Sequence, residues 1–308
     1  MDIFIAVVQM AVVILIAPLV SGVSRQLKAK YNTRKGPGIL QDYRDLHKLM
    51  FRTDIHPKDS SIIHRIMPAV YFGSMILMGL GIPMITRWSP IPLLGDVIFL
   101  VYLLTLPRFF FALAGLDSSD SFAGLGSVRE LLVSVLIEPT MILALLVLAL
   151  ATQTTNIGVM ADTIGSLGAT APVGVIFAGI AFAFACYVEM GKIPFDVPEA
   201  EQELDEGTLT EYSGPSLAMI RVSLSMKTII IISWWWALFV PWAAAWEMSF
   251  PAVLAGFFIW LALVFGTVFL IAFFENASSR VRYKLMGRQT MAMMAFSVAA
   301  FVFCVIGL

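Results

Sequence analysis

The chain has 308 residues, of which 59% are hydrophobic and 13% are charged, a composition typical of proteins with several membrane spans and unlike that of soluble domains. Its formal net charge of −1 excludes a strong electrostatic case for nucleic-acid binding. The two cysteines, Cys186 and Cys304, lie in apolar runs, so the sequence indicates neither a disulfide nor an iron–sulfur site.

Apolar runs of about 20 residues, the length that crosses a bilayer, recur along the whole chain. The connections between them are too short to form a second folded unit. We therefore expect an all-α polytopic membrane protein with a single transmembrane domain over residues 1–308 and ordered cytoplasmic loops. Eight spans are expected near residues 3–23, 66–86, 94–115, 127–152, 171–191, 227–246, 249–273 and 289–307, with an acidic cytoplasmic loop over 192–226.

Charge is distributed unevenly between the connections. Basic residues gather after the first, fifth and seventh spans, whereas the opposite connections contribute only Arg87. By the positive-inside rule the basic connections face the cytoplasm, and an even number of spans then puts both termini on the other side. The sequence therefore predicts a multi-pass protein of the cell inner membrane.

Ionisable residues within the spans are costly, by about 2.5–3.5 kcal/mol each on insertion scales, so each of them needs a reason. Four lie within a turn of the predicted cytoplasmic edge, where a functional role and simple local pairing both stay open; these are Arg108, Arg129, Glu130 and Glu275. Glu138 lies deeper in its span, where a carboxylate must be protonated, paired or hydrated. This position favours a role for Glu138 as a proton relay.

The connection that follows the fifth span is strongly acidic. From residue 189 to 213 it reads EMGKIPFDVPEAEQELDEGTLTEYS, with eight of the 21 acidic residues of the chain and one lysine. Pro194 and Pro198 end the preceding helix, and the spacing beyond them predicts that Glu199, Glu203 and Glu206 share one helical face. Crowded carboxylates raise one another's proton affinity, which suits proton exchange; a solvated acidic surface that docks a basic partner is the alternative.

The first basic connection contains the turn sequence RKGPG at residues 34–38. By itself it is equally compatible with contact to anionic lipid. The sequence contains no phosphate-binding loop, dinucleotide fingerprint, nucleophile triad or cluster with metal-ligand spacing. We therefore expect that the chain carries no redox centre of its own.

Five motifs carry a resemblance to a known family: RKGPGILQ at 34–41, GSVRELLVSVLIE at 126–138, PFDVPEAEQEL at 194–204, EYSG at 211–214 and RVRYKLM at 280–286. Together they resemble the membrane subunit that carries the quinone chamber of respiratory complex I, the NADH dehydrogenase subunit 1 family. The likeness is closer to its counterpart in the group 4 nickel–iron hydrogenases of the formate hydrogenlyase and hydrogenase-4 type. The resemblance implies a membrane-anchoring, proton-coupling subunit of a membrane-bound hydrogenase.

The resemblance also implies roles for individual residues. The proton path from the redox module to antiporter-like subunits would comprise Glu138, Glu189, Asp196, Glu199, Glu201, Glu203, Glu206 and Glu211, with Arg129, Lys192 and Arg108 as charge partners. The docking surface for the redox module would comprise Arg34, Lys35, Gly36, Pro37, Gln41, Asp42, Asp45, Lys48, Arg280 and Arg282.

No cofactor is expected in this chain, whereas partner subunits would carry nickel–iron and [4Fe–4S] centres. The implied partners are hydrogenase large and small subunits, iron–sulfur proteins and antiporter-like membrane subunits, within a lipid bilayer and without nucleic acid. Complex I subunits usually carry a longer segment after the EYSG-like motif; here GPSLAMIRVSLSMK follows, which weakens the case for quinone binding. The alternatives are a quinone-chamber subunit of a complex I-type enzyme, an autonomous transporter, and a pure anchor that transfers no proton.

Overall fold

The computed structural model describes residues 2–166, 168, 170–198, 201–247, 249–281 and 283–307. Eight of its helices are long and apolar enough to cross a membrane, and the described residues form no β-strand, which confirms the predicted all-α multi-pass fold. The long helices are α1 (Asp2–Tyr31), α3 (Ile62–Gly81), α4 (Val97–Asp117), α5 (Ser121–Thr152), α7 (Pro172–Glu189), α9 (Gly214–Phe239), α10 (Phe250–Ala277) and α11 (Tyr283–Ile306). Three short helices lie between them: α2 (Gln41–Met50), α6 (Ile157–Gly165) and α8 (Glu201–Leu204).

Side-chain caps and prolines determine where several helices begin. Asp96 accepts hydrogen bonds from the first backbone N–H groups of α4, and Asp120 accepts one from Ala123 in α5. These are the polar side chains that satisfy helix N-termini. Proline stands in the first turn of α7 and α9, where its missing N–H costs no hydrogen bond.

The sixth long helix begins earlier than the hydropathy pattern indicates. The span expected at 227–246 is α9, which runs from Gly214 to Phe239 and is followed by a short 3₁₀ turn at Pro241–Ala243. Up to its middle, this helix contains Arg221, Lys227 and several serines. They lower its hydropathy without breaking the helix, because an isolated polar residue leaves backbone hydrogen bonding intact. Lys227 is therefore inside a helix of the bundle.

Five of the long helices close a ring in which each contacts the next, in the order α3, α4, α5, α7, α9 and back to α3. Helix α1 packs on α3 and α9, helix α10 packs on α1 and α9, and helix α11 packs on α5 and α7. Helices α10 and α11 expose most of their side chains, as expected for helices at the edge of a membrane bundle. A polar site at the centre of this ring is shielded from lipid by the surrounding helices.

Tyr212, just before α9, is fastened to the first turn of α3. The phenol donates a 3.0 Å hydrogen bond to the carbonyl oxygen of His64, and its ring stacks on the imidazole with centroids 4.1 Å apart. That carbonyl lacks its helical partner because Pro68, four residues later, has no N–H. Burial raises the pKa of Tyr212, so that its hydroxyl remains a neutral donor.

Candidate functional site

Four charged side chains of opposite sign meet inside the ring: Arg108 of α4, Glu130 of α5, Glu189 of α7 and Lys227 of α9. Arg108 Nε donates a 2.7 Å hydrogen bond to Glu130 Oε1, and its Nη1 pairs with Glu189 Oε2. Lys227 Nζ lies 2.8 Å from Glu189 Oε1. We call these residues the buried quartet, because Arg108, Glu189 and Lys227 are only 3%, 4% and 6% exposed.

The formal charges of the buried quartet sum to zero, since two cations face two carboxylates. A net charge in such a place would be unfavourable, because burial removes the hydration of an ion and only a close counter-ion replaces it. Tyr71 of α3, which is 2% exposed, lies beside the quartet and within its electrostatic reach. Every helix of the ring therefore contributes one polar side chain to its centre.

Local sequence explains why Glu189 stands where it does. It is the last residue of α7, and the chain then turns through Gly191, whose φ of 62° is left-handed and suits glycine. The amide of Gly191 donates to the carbonyl oxygen of Val188, which closes the helix end. Glu189 is thus held at the boundary between the bundle and the acidic connection.

A cavity of about 360 Å³ opens beside the quartet, at the end of the bundle that carries the basic connections. The residues that line it include Tyr71 and all four members of the quartet. Its other walls come from α1, α2, α9 and the acidic connection, with Arg25, Asp42, Asp45, Lys192, Asp196 and Arg221 among them. A space of this size with so many polar partners is suited to ordered water.

Glu138 lies eight residues beyond Glu130 on α5 and is half-buried. Thr105 and Ser134 lie close to its carboxylate, and Arg108 and Glu189 act on it electrostatically. Pro139 follows it and leaves one carbonyl of the helix without its usual N–H partner. The position therefore provides polar neighbours for a carboxyl group inside a membrane helix.

The acidic connection is divided between the cavity and the surface. Asp196 lines the cavity and pairs with Arg280 at 2.9 Å, whereas Glu203 pairs with Arg129 at 2.8 Å and Glu206 with Arg221 at 3.3 Å near the surface. Burial raises the pKa of Asp196, and the Arg280 guanidinium partly opposes that shift. Glu211 is partly exposed, Glu199 lies outside the described residues, and the structure does not describe the side chain of Glu201.

The prediction of one shared helical face is wrong for Glu203 and Glu206, and its third member, Glu199, lies outside the described residues. Helix α8 has only one turn, and Glu206 adopts a left-handed conformation with φ of 71°. Gly207 follows at φ 58°, and a Cβ on Gly126 of α5 would lie 2.9 Å from its Cα. This close approach of two backbones fixes the turn against α5, and so it overrides the helical spacing.

The residues predicted to dock a partner are also divided. Arg34, Lys35, Pro37, Lys48 and Arg280 are exposed, while Arg282 lies outside the described residues. Asp42 pairs with Arg25 and lines the cavity together with Asp45, to which Gln41 donates a 2.8 Å hydrogen bond; Gly36 packs against Ala29. The basic members that the structure describes are therefore exposed, and the acidic members line the cavity.

Sequence reasoning missed Lys227 and left the roles of Glu130 and Glu275 open. Glu275 of α10 is 5% exposed and lies 2.7 Å from Lys28 of α1. The one available signal for Lys227 was a lone cation in front of the apolar run TIIIIS, which was instead taken as the edge of a span. Among the residues that the structure describes, no three His, Cys, Asp or Glu side chains are grouped as a metal site.

Comparisons with known proteins give the chain its family. A family model described as NADH dehydrogenase matches residues 3–306. Hydrogenase-4 component C of Escherichia coli (strain K12) is 43% identical over 303 residues, 98% of this chain and 96% of that protein. Formate hydrogenlyase subunit 4 of the same organism is 37% identical over 302 residues, 98% of each chain.

A solved structure shares the fold. One chain of the membrane-bound sulfane sulfur reductase, an archaeal respiratory membrane complex, matches with a TM-score of 0.86 and 19% identity, over 98% of this chain and 99% of that one. The eight long helices are thus arranged in an established fold. The chain belongs to the NADH dehydrogenase family.

Proposed function

We propose that this chain is the membrane-anchoring and proton-coupling subunit of a multisubunit, membrane-bound nickel–iron hydrogenase of the formate hydrogenlyase type. It would link a cytoplasmic redox module to antiporter-like membrane subunits without carrying a redox centre. The relatives at 43% and 37% identity are named as components of hydrogenase-4 and formate hydrogenlyase, which supports this branch of the family.

The observation that carries the proton-coupling role is the charge-balanced quartet at the wall of a polar cavity. Breaking a buried ion pair is expensive, but replacing one by well-packed apolar residues is often neutral or stabilising. Stability alone therefore gives no reason to keep four charges in the centre of a membrane bundle. Contact with a cavity that suits water gives such a reason, because the carboxylates can then exchange protons.

The mechanism we propose is electrostatic. Redox turnover in the docked module would change the charge or conformation of the acidic connection, which begins directly after Glu189. Asp196 and Lys192 border the same cavity as the quartet, so a change of charge there acts on Glu189 through a small polar volume. Glu138, with its polar neighbours on α4 and α5, would receive the proton on the way to a neighbouring subunit.

The exposed basic residues form the proposed docking surface for the redox module. They are Arg34, Lys35, Lys48 and Arg280, next to the exposed Pro37. The nickel–iron and [4Fe–4S] centres would belong to the partner subunits. We assign the chain to the cell inner membrane, with the basic connections in the cytoplasm and both termini on the opposite side, by the positive-inside rule.

A quinone-chamber role is the second candidate, because the cavity lies between the basic first connection and the acidic one, where a quinone headgroup would bind. Eleven charged side chains line this cavity, however, whereas sites for apolar ligands are lined mostly by hydrophobic side chains. A quinone site predicts that quinone-site inhibitors block turnover of the purified complex. Hydrogen evolution that is insensitive to these inhibitors supports the hydrogenase role.

The proposed function is tested by replacing Glu138 with Gln in the assembled complex. Proton translocation per hydrogen evolved, measured in sealed vesicles, should fall, while assembly and hydrogen evolution are retained. Glu247→Gln is the matched control, because Glu247 is an exposed carboxylate in the connection before α10, on the opposite side of the bundle. An unchanged proton-to-hydrogen ratio in the Glu138 variant removes this residue from the path and favours a pure anchor.

A further inference from the structure

The two cations of the buried quartet are chemically different. An arginine guanidinium does not lose its proton in proteins, and Arg108 is engaged with both carboxylates. A lysine ammonium, unlike a guanidinium, can give up its proton, and Lys227 contacts Glu189 alone within the quartet. Only one of the two cations can therefore change its charge.

Charge balance makes this difference important. If a proton were added to either carboxylate while Lys227 stayed charged, the quartet would carry a net positive charge in a largely buried position. If the proton came from Lys227 instead, an ammonium and a carboxylate would become an amine and a carboxylic acid, and the sum would remain zero. A proton can thus be held on Glu189 without a net buried charge.

We propose that Lys227 is the proton-exchanging cation of the buried quartet, which hands a proton to Glu189 and is recharged by water in the adjoining cavity. This inference rests on the proposed proton-coupling function and names the residue that makes it possible. It also assigns a role to a residue that the sequence did not predict as part of the site.

The geometry of the pair suits such a transfer. Lys227 Nζ lies 2.8 Å from Glu189 Oε1, yet this oxygen accepts no hydrogen bond from any described residue. The ammonium therefore approaches the oxygen obliquely, and a small rotation of the lysine side chain would align an N–H bond with it. Arg108 holds the other oxygen of Glu189, so the carboxylate stays in place while the lysine moves.

The transfer is balanced in protons and moves no electrons. An N–H bond of the Lys227 ammonium breaks and an O–H bond forms on Glu189 Oε1, which leaves a neutral amine and a neutral acid. Glu189 then releases this proton to water or to the next carboxylate and becomes an anion again. The amine takes a proton from hydronium in the cavity, which both residues line. One proton has then crossed the quartet, and its charge sum returns to zero.

Lys227→Arg in the assembled complex tests the proposal, because arginine keeps the positive charge but cannot release a proton. We expect normal assembly and hydrogen evolution with loss of proton translocation. Lys28→Arg is the matched control, since Lys28 also lies 2.7 Å from a buried carboxylate and borders the same cavity, but is outside the quartet. A structural ion-pair role for Lys227 predicts the opposite result, in which arginine restores full proton translocation.

A second variant covers the case in which the larger arginine prevents assembly. The double substitution Glu189→Gln with Lys227→Gln keeps the charge sum at zero and leaves the pair of Arg108 and Glu130 intact. We expect this variant to assemble and evolve hydrogen without translocating protons. A wild-type proton-to-hydrogen ratio in either Lys227 variant overturns the inference.

The proposed function and this inference fail in different ways. If Glu138→Gln abolishes translocation while the Lys227 variants translocate normally, the function stands and Lys227 has no part in it. If Glu138→Gln and the Lys227 variants all translocate at the wild-type ratio, both the inference and the coupling function are refuted.

Discussion

Replacing Glu189 with Gln should destabilise the protein more than replacing its partner Lys227 with Gln. Glu189→Gln removes the carboxylate that contacts both cations and leaves a net positive charge in the buried quartet. Lys227→Gln leaves a net negative charge, but Glu189 keeps its pairing with Arg108. The double variant, with no net charge, should be more stable than Glu189→Gln alone.

The magnitudes follow from burial. Removing one partner of a buried ion pair costs about 3–5 kcal/mol, and Glu189→Gln should lie at the upper end because two pairs are lost. Lys227→Gln should cost less, about 1–3 kcal/mol, since the remaining carboxylate still has a charged partner. The second substitution should then recover about 2 kcal/mol of the loss caused by the first.

Intrinsic tryptophan fluorescence provides the assay, because the chain has seven tryptophans and α9 alone carries Trp234, Trp235 and Trp236. Thermal midpoints of the wild type, both single variants and the double variant, purified in one detergent at one protein concentration, form a complete cycle. A double variant that is less stable than Glu189→Gln alone, by the full cost of Lys227→Gln, would refute the reasoning. The two residues would then be energetically independent despite their contact.

Three further substitutions test other parts of the site. Gly207→Ala should destabilise by about 1–3 kcal/mol in the same thermal assay, because Gly207 has φ of 58° and a Cβ there would contact the carbonyl oxygen of Pro198. His64→Phe should be neutral or stabilising, since it keeps the stack on Tyr212 and removes two buried nitrogens that have no hydrogen-bond partner among the described residues. The raised pKa of Asp196 means that its contribution to stability is present at acid pH and is lost as pH rises through the raised value. The thermal midpoint of the wild type should therefore fall as pH rises above about 4, and it should fall less in Asp196→Asn.

Patterns that depend on local sequence alone were predictable. The eight spans follow from the length of the apolar runs, because hydrocarbon thickness fixes how many apolar residues a helix needs. Glu189 and Asp196 could be singled out because they stand at the boundary of a span beside prolines and a glycine. These signals are carried by neighbouring residues, and they require no knowledge of the other helices.

The quartet could not be predicted, because its members come from four helices and are separated by up to 119 positions, from Arg108 to Lys227. The hydropathy pattern also predicted the wrong start for α9. It counts Lys227 as a charged residue, whereas in the structure a carboxylate from another helix compensates that charge. The assumed helical face of Glu203 and Glu206 failed for a related reason. A tertiary contact between Gly126 and Gly207 bends the chain where local spacing alone would continue a helix.

The quartet and the cavity beside it allow a charge in the docked module to act on a buried proton without a large movement of the helices. At an effective dielectric constant of about 20, a unit charge that arrives about 10 Å from the quartet changes the energy of a proton there by about 1.7 kcal/mol, more than tenfold in occupancy. Asp196 is fixed to Arg280 at 2.9 Å, and the amide of Val281 donates to the carbonyl oxygen of Pro194, so the acidic connection and the last basic connection respond as one unit. A docked module that changes charge beside Arg280 would therefore act on Asp196. Asp196 lines the same cavity as Glu189 and Lys227, so the effect would reach these two residues as well. Arg280→Gln should consequently weaken the dependence of proton translocation on redox turnover while leaving the quartet intact, and a proton-to-hydrogen ratio equal to that of the wild type would show that the coupling takes another route.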